Sequence, residues 1–243
     1  MSSPRYRVAK TIDTVFFDLD DTLSDYGSTR DAAVREWVSG FTDWHLSPDQ
    51  SARRWEELEV HWFARYTAGE LDLLGQRAQR VRDFLPGAAD WPLDKAIDAF
   101  DELRAIYESN WRPFPDARDA LARALGSGRP VGVLTNGETA YQTRKLRALG
   151  LADERLIMLA SSDLPAAKPD PAGLLLALER LGVTGEEAVY VGDSVVDAEA
   201  AARADLAFIA VLSGATPAAE LAAYRPLTLL ASVGGLPQFL GCP

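Results

Sequence analysis

The feature that most constrains this chain is a short apolar segment that ends in three carboxylates. Residues 15–23 read VFFDLDDTL, and the β-branched and aromatic start of this segment predicts a buried strand. Asp18 and Asp20 are two residues apart, so on an extended backbone their side chains start on the same side. At an effective dielectric of about 20, two unit charges about 4 Å apart repel by about 4 kcal/mol. A bound divalent cation would explain that cost, as would two acids that divide nucleophilic and proton-transfer roles, and an acidic turn is the structural alternative.

The composition sets limits on the partners of the chain. Of 243 residues, 47% are hydrophobic, which is enough for a substantial core. The formal net charge of -11 disfavours nucleic acids and anionic membranes as partners, because both require clustered lysine and arginine. A small phosphorylated molecule stays possible, since a metal ion and one lysine can meet its charge locally.

Cysteine content and hydropathy bear on the cellular compartment. The single cysteine, Cys242, rules out an intrachain disulfide, and its place next to the C-terminus argues against a catalytic role. No apolar run is long enough to span a bilayer, and the polar residues 1–10 lack the apolar centre of a signal peptide. We therefore expect a cytoplasmic protein. The sequence carries no indication of its oligomeric state.

A long helical segment follows the first strand. Residues 29 to about 111 show helical periodicity with no convincing strand, and all six tryptophans fall within them. Both histidines, His45 and His61, also lie here, but they are isolated and adjacent to tryptophans, so we do not expect a ligand pair. This segregation predicts a separate helical domain at residues 24–115. The other domain then comprises residues 1–23 and 116–243.

Helices and strands alternate through the rest of the chain. Strands are predicted at residues 131–134, 156–159, 188–191 and 206–212, with an edge strand at 227–230. Helices are predicted at residues 117–125, 139–149, 172–181, 197–204 and 218–223, and Gly182 is the expected C-cap of the third. Strands separated by helices of this length predict an α/β fold with a Rossmann-like parallel sheet covered by helices on both faces.

Polar side chains follow the predicted strands at the edge where ligands bind in open parallel sheets. Thr135 and Asn136 follow the second strand at a helix start, where free backbone N–H groups favour phosphate. Lys168 lies in the loop after the third strand, and Asp193 and Asp197 follow the fourth. Each residue has a structural alternative as a helix cap or a surface side chain. Their joint placement on the edge that carries the first-strand acids predicts a ligand site.

These segments resemble the four motifs of the haloacid dehalogenase superfamily of phosphohydrolases, in the branch whose helical cap is inserted after the first motif. The matching stretches are FDLDDTL at 17–23, LTNG at 134–137, KP at 168–169, and GDS at 192–194 with Asp197. The resemblance covers the whole α/β domain, and the helical segment matches the cap in position and helical character. Asp21 and Asp205 stand where many relatives have glycine.

The resemblance implies roles for the acids. Asp18 would be the nucleophile that forms an aspartyl-phosphate, and Asp20 would be the acid/base that protonates the leaving oxygen and later activates water. Mg²⁺ would be held by Asp18, the backbone carbonyl of Asp20 and Asp193. Asp197 would lie close by and act through water or by orienting its neighbours.

The resemblance also implies the substrate-binding residues. Thr135 and Asn136 would hydrogen-bond the phosphoryl oxygens, while Lys168 would neutralise charge and position Asp18. In the cap, Arg77 could reach a substrate anion, and a solvated basic helix face is the alternative for the arginine-rich stretch at 77–82.

The predicted function is a Mg²⁺-dependent phosphatase of a small phosphorylated metabolite. A sugar phosphomutase of the β-phosphoglucomutase type is the main alternative, since the aspartyl-phosphate could instead be passed on. A haloacid dehalogenase is disfavoured, because those enzymes lack an acid at the position of Asp20 and need no metal. A catalytically silent binding module is also disfavoured, because both acids are retained together with Thr135, Lys168 and Asp193.

Overall fold

The computed structural model describes residues 12–241. The strands are β1 (Thr14–Phe17), β2 (Val131–Thr135), β3 (Leu156–Ala160), β4 (Ala188–Gly192), β5 (Ala207–Val211) and β6 (Leu229–Leu230). The helices are α1 (Tyr26–Ser39), α2 (Pro48–Thr67), α3 (Leu73–Phe84), α4 (Leu93–Ser109), α5 (Ala117–Gly126), α6 (Thr139–Ala148), α7 (Ala172–Leu181), α8 (Val195–Arg203), α9 (Ala218–Ala223) and α10 (Leu236–Phe239). None of these helices combines the length and the apolar character needed to cross a bilayer. Cys242 and the N-terminal residues 1–10 considered above lie outside the described residues.

The six strands form one parallel sheet in the order β3-β2-β1-β4-β5-β6. In its centre, Val15 of β1 pairs with Val131 of β2 on one side and with Val189 of β4 on the other. From β1 the chain continues to β2 and β3, which lie on one side of β1 within the sheet. It then crosses to β4, β5 and β6 on the other side of β1. The carboxyl end of β1 is therefore the switch point at which open α/β sheets bind ligands.

Every residue of β1, β2, β4 and β5 is buried, so both faces of the central sheet are covered. On one face Phe16, Tyr190 and Phe208 pack with Leu174 of α7 and Leu206 in a single apolar cluster. The near-continuous apolar runs of these strands reflect burial on both sides. The α/β fold predicted from the sequence is confirmed.

The predicted helix after the second strand begins where expected, but it does not include the residues of the second motif. Thr135 is the last residue of β2, and Asn136 lies in a loop because Gly137 has φ +142° and Glu138 is extended before α6 starts. Thr135 and Asn136 therefore stand one short turn before the helix start, which lies at residue 139 as predicted. Gly182 does cap α7, in the left-handed conformation with φ +66°.

The chain divides into two compact units. One holds the sheet and comprises the described residues up to Tyr26 and from Arg112 onward, and the other comprises Gly27–Trp111. Residues 27–111 contain helices and no strand, as their periodicity predicts. Within this second unit, Trp37 stacks on Phe84 at 5.8 Å and meets Trp55 edge-on at 5.9 Å between ring centres. The segregated tryptophans thus supply part of the unit's own core.

Candidate active site

The loop after β1 holds Asp18 at the carboxyl edge of the sheet. Asp18 is buried, and its backbone N–H continues the pairing with β4 by donating to the Val191 carbonyl at 2.9 Å. The loop then turns sharply, since the N–H groups of Leu23 and Ser24 both donate to the Leu19 carbonyl, at 2.9 and 2.8 Å. The turn fixes the acids of the first motif relative to the strand.

Two aspartates occupy backbone positions that favour glycine. Asp21 has φ +57° and Asp205 has φ +55°, in the left-handed region that aspartate tolerates better than most residues. These are the same two positions at which the chain departs from the glycine of many relatives. At the first of them, the Ser213 hydroxyl donates to the Asp21 carbonyl at 2.6 Å and ties the turn to the loop after β5.

Three aspartates from distant parts of the chain meet at the end of β1. Asp18, Asp193 and Asp197 are all buried, and each offers one carboxylate oxygen within 4.8 Å of the others. Asp193 follows β4, and Asp197 lies in the first turn of α8. The structure therefore brings together three of the four acids that the sequence predicted for the metal site.

Lys168 lies between two of these acids, Asp18 and Asp197. Its ammonium is 2.5 Å from Asp18 Oδ1, 2.6 Å from Asp197 Oδ1 and 2.8 Å from the Tyr190 hydroxyl. Tyr190 is fully buried, and its hydroxyl also lies 3.0 Å from Asp197 Oδ1 and 3.1 Å from the Leu134 carbonyl. Tyr190 was not predicted as a site residue, because a tyrosine in a buried strand is typical of an ordinary core position.

The cluster carries more negative charge than Lys168 can neutralise. Burial raises the pKa of Asp18 to about 7 although the Lys168 ammonium acts in the opposite direction. Burial, followed by the charges of Asp197 and Asp18, raises the pKa of Asp193 well above its usual value. Burial acts to lower the pKa of Lys168, but Asp18 and Asp197 outweigh it and hold that pKa above its usual range. A further cation would therefore be favoured here.

The hydrogen bonds show which carboxylate oxygens could hold that cation. Both oxygens of Asp197 are used, since Oδ1 faces Lys168 and Oδ2 accepts from the backbone N–H and hydroxyl of Ser194, at 3.2 and 2.6 Å. Asp193 Oδ1 accepts from the Thr22 hydroxyl at 2.9 Å. The Oδ2 atoms of Asp18 and Asp193 accept no hydrogen bond from any described residue. Hard carboxylate oxygens of this kind suit Mg²⁺, so the donor set fits the ion that the sequence predicted.

The second motif serves partly to hold Lys168. Asn136 Nδ2 donates to the Lys168 carbonyl at 3.0 Å, and the Lys168 N–H donates to Asn136 Oδ1 at 2.8 Å. In this structure the Asn136 side chain therefore holds the Lys168 backbone in place through two hydrogen bonds. Thr135 is also engaged, because its hydroxyl accepts from Gln142 Nε2 at 3.0 Å.

Asp20 is separate from the buried cluster and lies against α6. Its side chain is 30% exposed, and Lys145, which has no exposed side-chain surface, pairs with its Oδ1. Lys145 was not predicted as a site residue, although helical phase alone could have indicated that it is buried. Gln142, Lys145, Leu146 and Leu149 follow the i, i+3, i+4, i+7 spacing of a single helix face, and all four are buried.

Arg77 lies in α3 of the helical unit. Its guanidinium is 5.2 Å from the centre of the Phe100 ring, and that of Arg80 is 5.3 Å from the same ring. Arg80 is buried and pairs with Glu59, so this helix face is not simply solvated. Contact of Arg77 with a substrate stays a prediction.

Comparison with known proteins gives a family and several relatives. The model of the haloacid dehalogenase-like hydrolases matches residues 12–205. The chain is 33% identical to a phosphoglycolate phosphatase of Yersinia pseudotuberculosis over 147 residues, which cover 60% of this chain and 63%, less than two thirds, of that protein. It is 27% identical to the phosphoglycolate phosphatase of Escherichia coli K12 over 245 aligned positions that cover 94% of this chain and 92% of the relative.

Solved structures share the fold. YfnB of Bacillus subtilis, which has been assigned to the HAD hydrolases, is 18% identical with a TM-score of 0.81, over 96% of this chain and 100% of that one. A Thermotoga maritima protein assigned as a β-phosphoglucomutase is 19% identical with a TM-score of 0.73, over 94% of this chain and 98% of that one. At these identities the likeness shows the fold and does not choose between activities.

Proposed function

The chain belongs to the haloacid dehalogenase-like hydrolases, and from that premise we propose that it is a Mg²⁺-dependent phosphatase of a small phosphorylated metabolite. The observation that carries the proposal is the environment of Asp18. This buried carboxylate has one oxygen held by Lys168 at 2.5 Å, while no described residue donates a hydrogen bond to the other. A positioned carboxylate with an available oxygen is suited to nucleophilic attack on phosphorus.

In the proposed reaction, Asp18 Oδ2 attacks the phosphorus of the ester and a new P–O bond forms. The bond between phosphorus and the ester oxygen breaks, its electron pair stays on that oxygen, and Asp20 supplies the proton that completes the alcohol. Asp20 then accepts a proton from water while the water oxygen attacks the aspartyl-phosphate. The P–O bond to Asp18 breaks, which releases phosphate and restores the carboxylate.

Mg²⁺ would be held next to the attacking oxygen. Asp193 through its Oδ2 and Asp18 through the oxygen that does not attack would hold the ion, together with the backbone carbonyl of Asp20, and the bound ion would offset the charge of the phosphoryl group. Asp197 has both oxygens occupied by Lys168, Tyr190 and Ser194, which supports a role in orienting Lys168 over direct ligation.

The remaining residues of the motifs would bind and orient the phosphoryl group. Lys168 would stabilise the charge that develops on the phosphoryl oxygens while it holds Asp18 in place. Asn136 supports this role by fixing the Lys168 backbone, and its own backbone N–H and the Thr135 hydroxyl are the groups proposed to meet the phosphoryl oxygens. The helical unit would act as a cap that excludes water and selects the leaving group, with Arg77 as a candidate contact.

The relatives support the substrate class. Curated proteins similar to this chain are named phosphoglycolate phosphatases, which favours a small anionic phosphate ester as substrate. The cytoplasm remains the proposed location, on the sequence alone. A sugar phosphomutase is the second candidate because of the structural likeness to the Thermotoga maritima protein. A dehalogenase is disfavoured by Asp20, and a silent binding module by the complete set of acids around Lys168.

The proposal is tested with p-nitrophenyl phosphate. We expect hydrolysis in Mg²⁺ that is lost in EDTA and restored by excess Mg²⁺, because three buried acids need a cation in addition to Lys168. A panel of phosphorylated metabolites then identifies the substrate, and transfer of phosphate to a second sugar hydroxyl would identify a mutase. Halide release from a haloacid without metal, or no turnover of any phosphate ester, would reject the proposal.

Gly214 offers a test of the role of Asp193 in metal binding. A Cβ built on Gly214 would overlap Asp193 Oδ2 and lie 2.7 Å from its Cγ, so Gly214→Ala must displace this carboxylate. We expect the Mg²⁺ concentration for half-maximal rate to rise by about tenfold or more. The matched control is Gly126→Ala, where a Cβ meets no atom within 4 Å, and its Mg²⁺ dependence should be that of the wild type. An unchanged Mg²⁺ requirement in Gly214→Ala would remove Asp193 from the metal site.

A further inference from the structure

Lys145 is a buried cation to which the proposed reaction gives no role. It lies in the last turn of α6 with no exposed side-chain surface, and its Nζ pairs with Oδ1 of Asp20. Desolvating an ammonium is costly, and an apolar residue of similar size at such a position is often as stable or more so. The neighbouring buried positions, Leu146 of α6 and its C-cap Leu149, are apolar as expected. Packing therefore does not explain why a lysine occupies this buried position of the helix.

The partner of Lys145 does not need the pair for its own solvation. The side chain of Asp20 is 30% exposed and could be hydrated from the open side. Instead α6 contacts both carboxylate oxygens, since Gln142 Nε2 lies 3.4 Å from Oδ2 while Lys145 takes Oδ1. The same Gln142 nitrogen lies 3.0 Å from the Thr135 hydroxyl and 3.2 Å from the Asn136 carbonyl, so it is itself fixed by the second motif.

We propose that Lys145, with Gln142, is a positioning residue that holds the Asp20 carboxylate in the orientation needed for proton transfer to the leaving group. This inference rests on the proposed phosphatase mechanism. Gln142 and Lys145, one helical turn apart, contact the Asp20 carboxylate from its buried side, and its exposed side is left to face the substrate. In the step concerned, the P–O ester bond breaks, the electron pair goes to the leaving oxygen, and the proton on Asp20 moves to that oxygen.

A positioning role can be distinguished from a merely structural one, because only the former makes the effect of substituting Lys145 depend on the leaving group. Phenolate is a much stronger base than p-nitrophenolate, so loss of a well-placed acid slows phenyl phosphate far more than p-nitrophenyl phosphate. General acid catalysis contributes about 10²–10⁴-fold. For Lys145→Met we expect kcat/KM for phenyl phosphate to fall by about 10²-fold, and that for p-nitrophenyl phosphate by less than about 10-fold.

Two further variants control the experiment. Arg147→Gln removes an exposed basic residue from the same helix and should leave both rates unchanged. In an Asp20→Ala background, Lys145→Met should have no additional effect on p-nitrophenyl phosphate, because a residue that acts only through Asp20 has nothing left to position. If Lys145→Met does not fold, Gln142→Leu removes the second contact and should show the same leaving-group dependence to a smaller degree.

The outcomes distinguish the two levels of the proposal. A wild-type protein that hydrolyses no phosphate ester in Mg²⁺, neither these two nor any of the metabolite panel, rejects the phosphatase itself. If the wild type is active, three results for Lys145→Met reject the positioning role alone. These are an equal fall of kcat/KM for both esters, no fall for either, and a rise for phenyl phosphate. Additive effects of Lys145→Met and Asp20→Ala would also reject it.

Discussion

Asp18→Asn is expected to abolish phosphatase turnover and to leave the fold intact. Asparagine has the shape of aspartate, but its amide is not a nucleophile toward phosphorus. We expect kcat to fall by at least about 10⁴-fold, the scale seen when a catalytic nucleophile is removed. The substitution also removes one negative charge from a site that already holds Asp193 and Asp197, so loss of stability should not explain the loss of rate.

The measurement is the rate with p-nitrophenyl phosphate at saturating Mg²⁺, together with circular dichroism and the thermal midpoint of the variant. A matched control is Asp153→Asn, which alters a partly exposed carboxylate that pairs with Arg155 away from the site. Its rate should equal that of the wild type. A near-normal rate in Asp18→Asn would show that another group attacks phosphorus.

Lys168→Met is expected to lower both activity and stability by a large amount. The ammonium of Lys168 contacts Asp18 and Asp197 at 2.5 and 2.6 Å in a buried site, and methionine would leave these carboxylates without that cation. Removing one partner of a buried ion pair costs about 3–5 kcal/mol of the free energy of unfolding. For a chain of this size we expect the thermal midpoint to fall by roughly 10 °C.

Magnesium provides the more specific readout for this variant. If the acids bind Mg²⁺, the ion can replace part of the missing charge, so added Mg²⁺ should raise the thermal midpoint of Lys168→Met more than that of the wild type. Lys95→Met, which removes an exposed lysine over the Trp91 ring, serves as the control and should lose little stability. A Lys168→Met variant that melts like the wild type would show that the ion pairs in this cluster do not hold the site together.

The parts of this protein that follow from local sequence were predictable. The apolar run before Asp18, the strand before Asp193 and the helical phase of the intervening segments each depend on neighbouring residues, and parallel topology then places the strand ends at one edge. The meeting of Asp18, Asp193 and Lys168 was expected for this reason. The family resemblance added roles that spacing alone does not assign.

Other features depend on contacts between distant segments and were not predictable from the sequence. The Asn136 amide holds the Lys168 backbone, a pairing across 32 positions that no local pattern encodes. Gly214 matters because its backbone approaches Asp193, and the sequence around it reads as an ordinary turn. Lys145 is an intermediate case. Helical phase alone could have placed it on the buried face, but its partner could be identified only in three dimensions.

The central claim is that the carboxylate of Asp18 forms a covalent bond to phosphorus, and mass spectrometry of the protein quenched in acid during turnover tests it most directly. The account predicts that one phosphoryl group is carried by a peptide containing Asp18, at the aspartate itself, and that Asp18→Asn carries none. The account would be contradicted if the active enzyme carried its phosphoryl group on another residue, or if the Asp18→Asn variant still carried one.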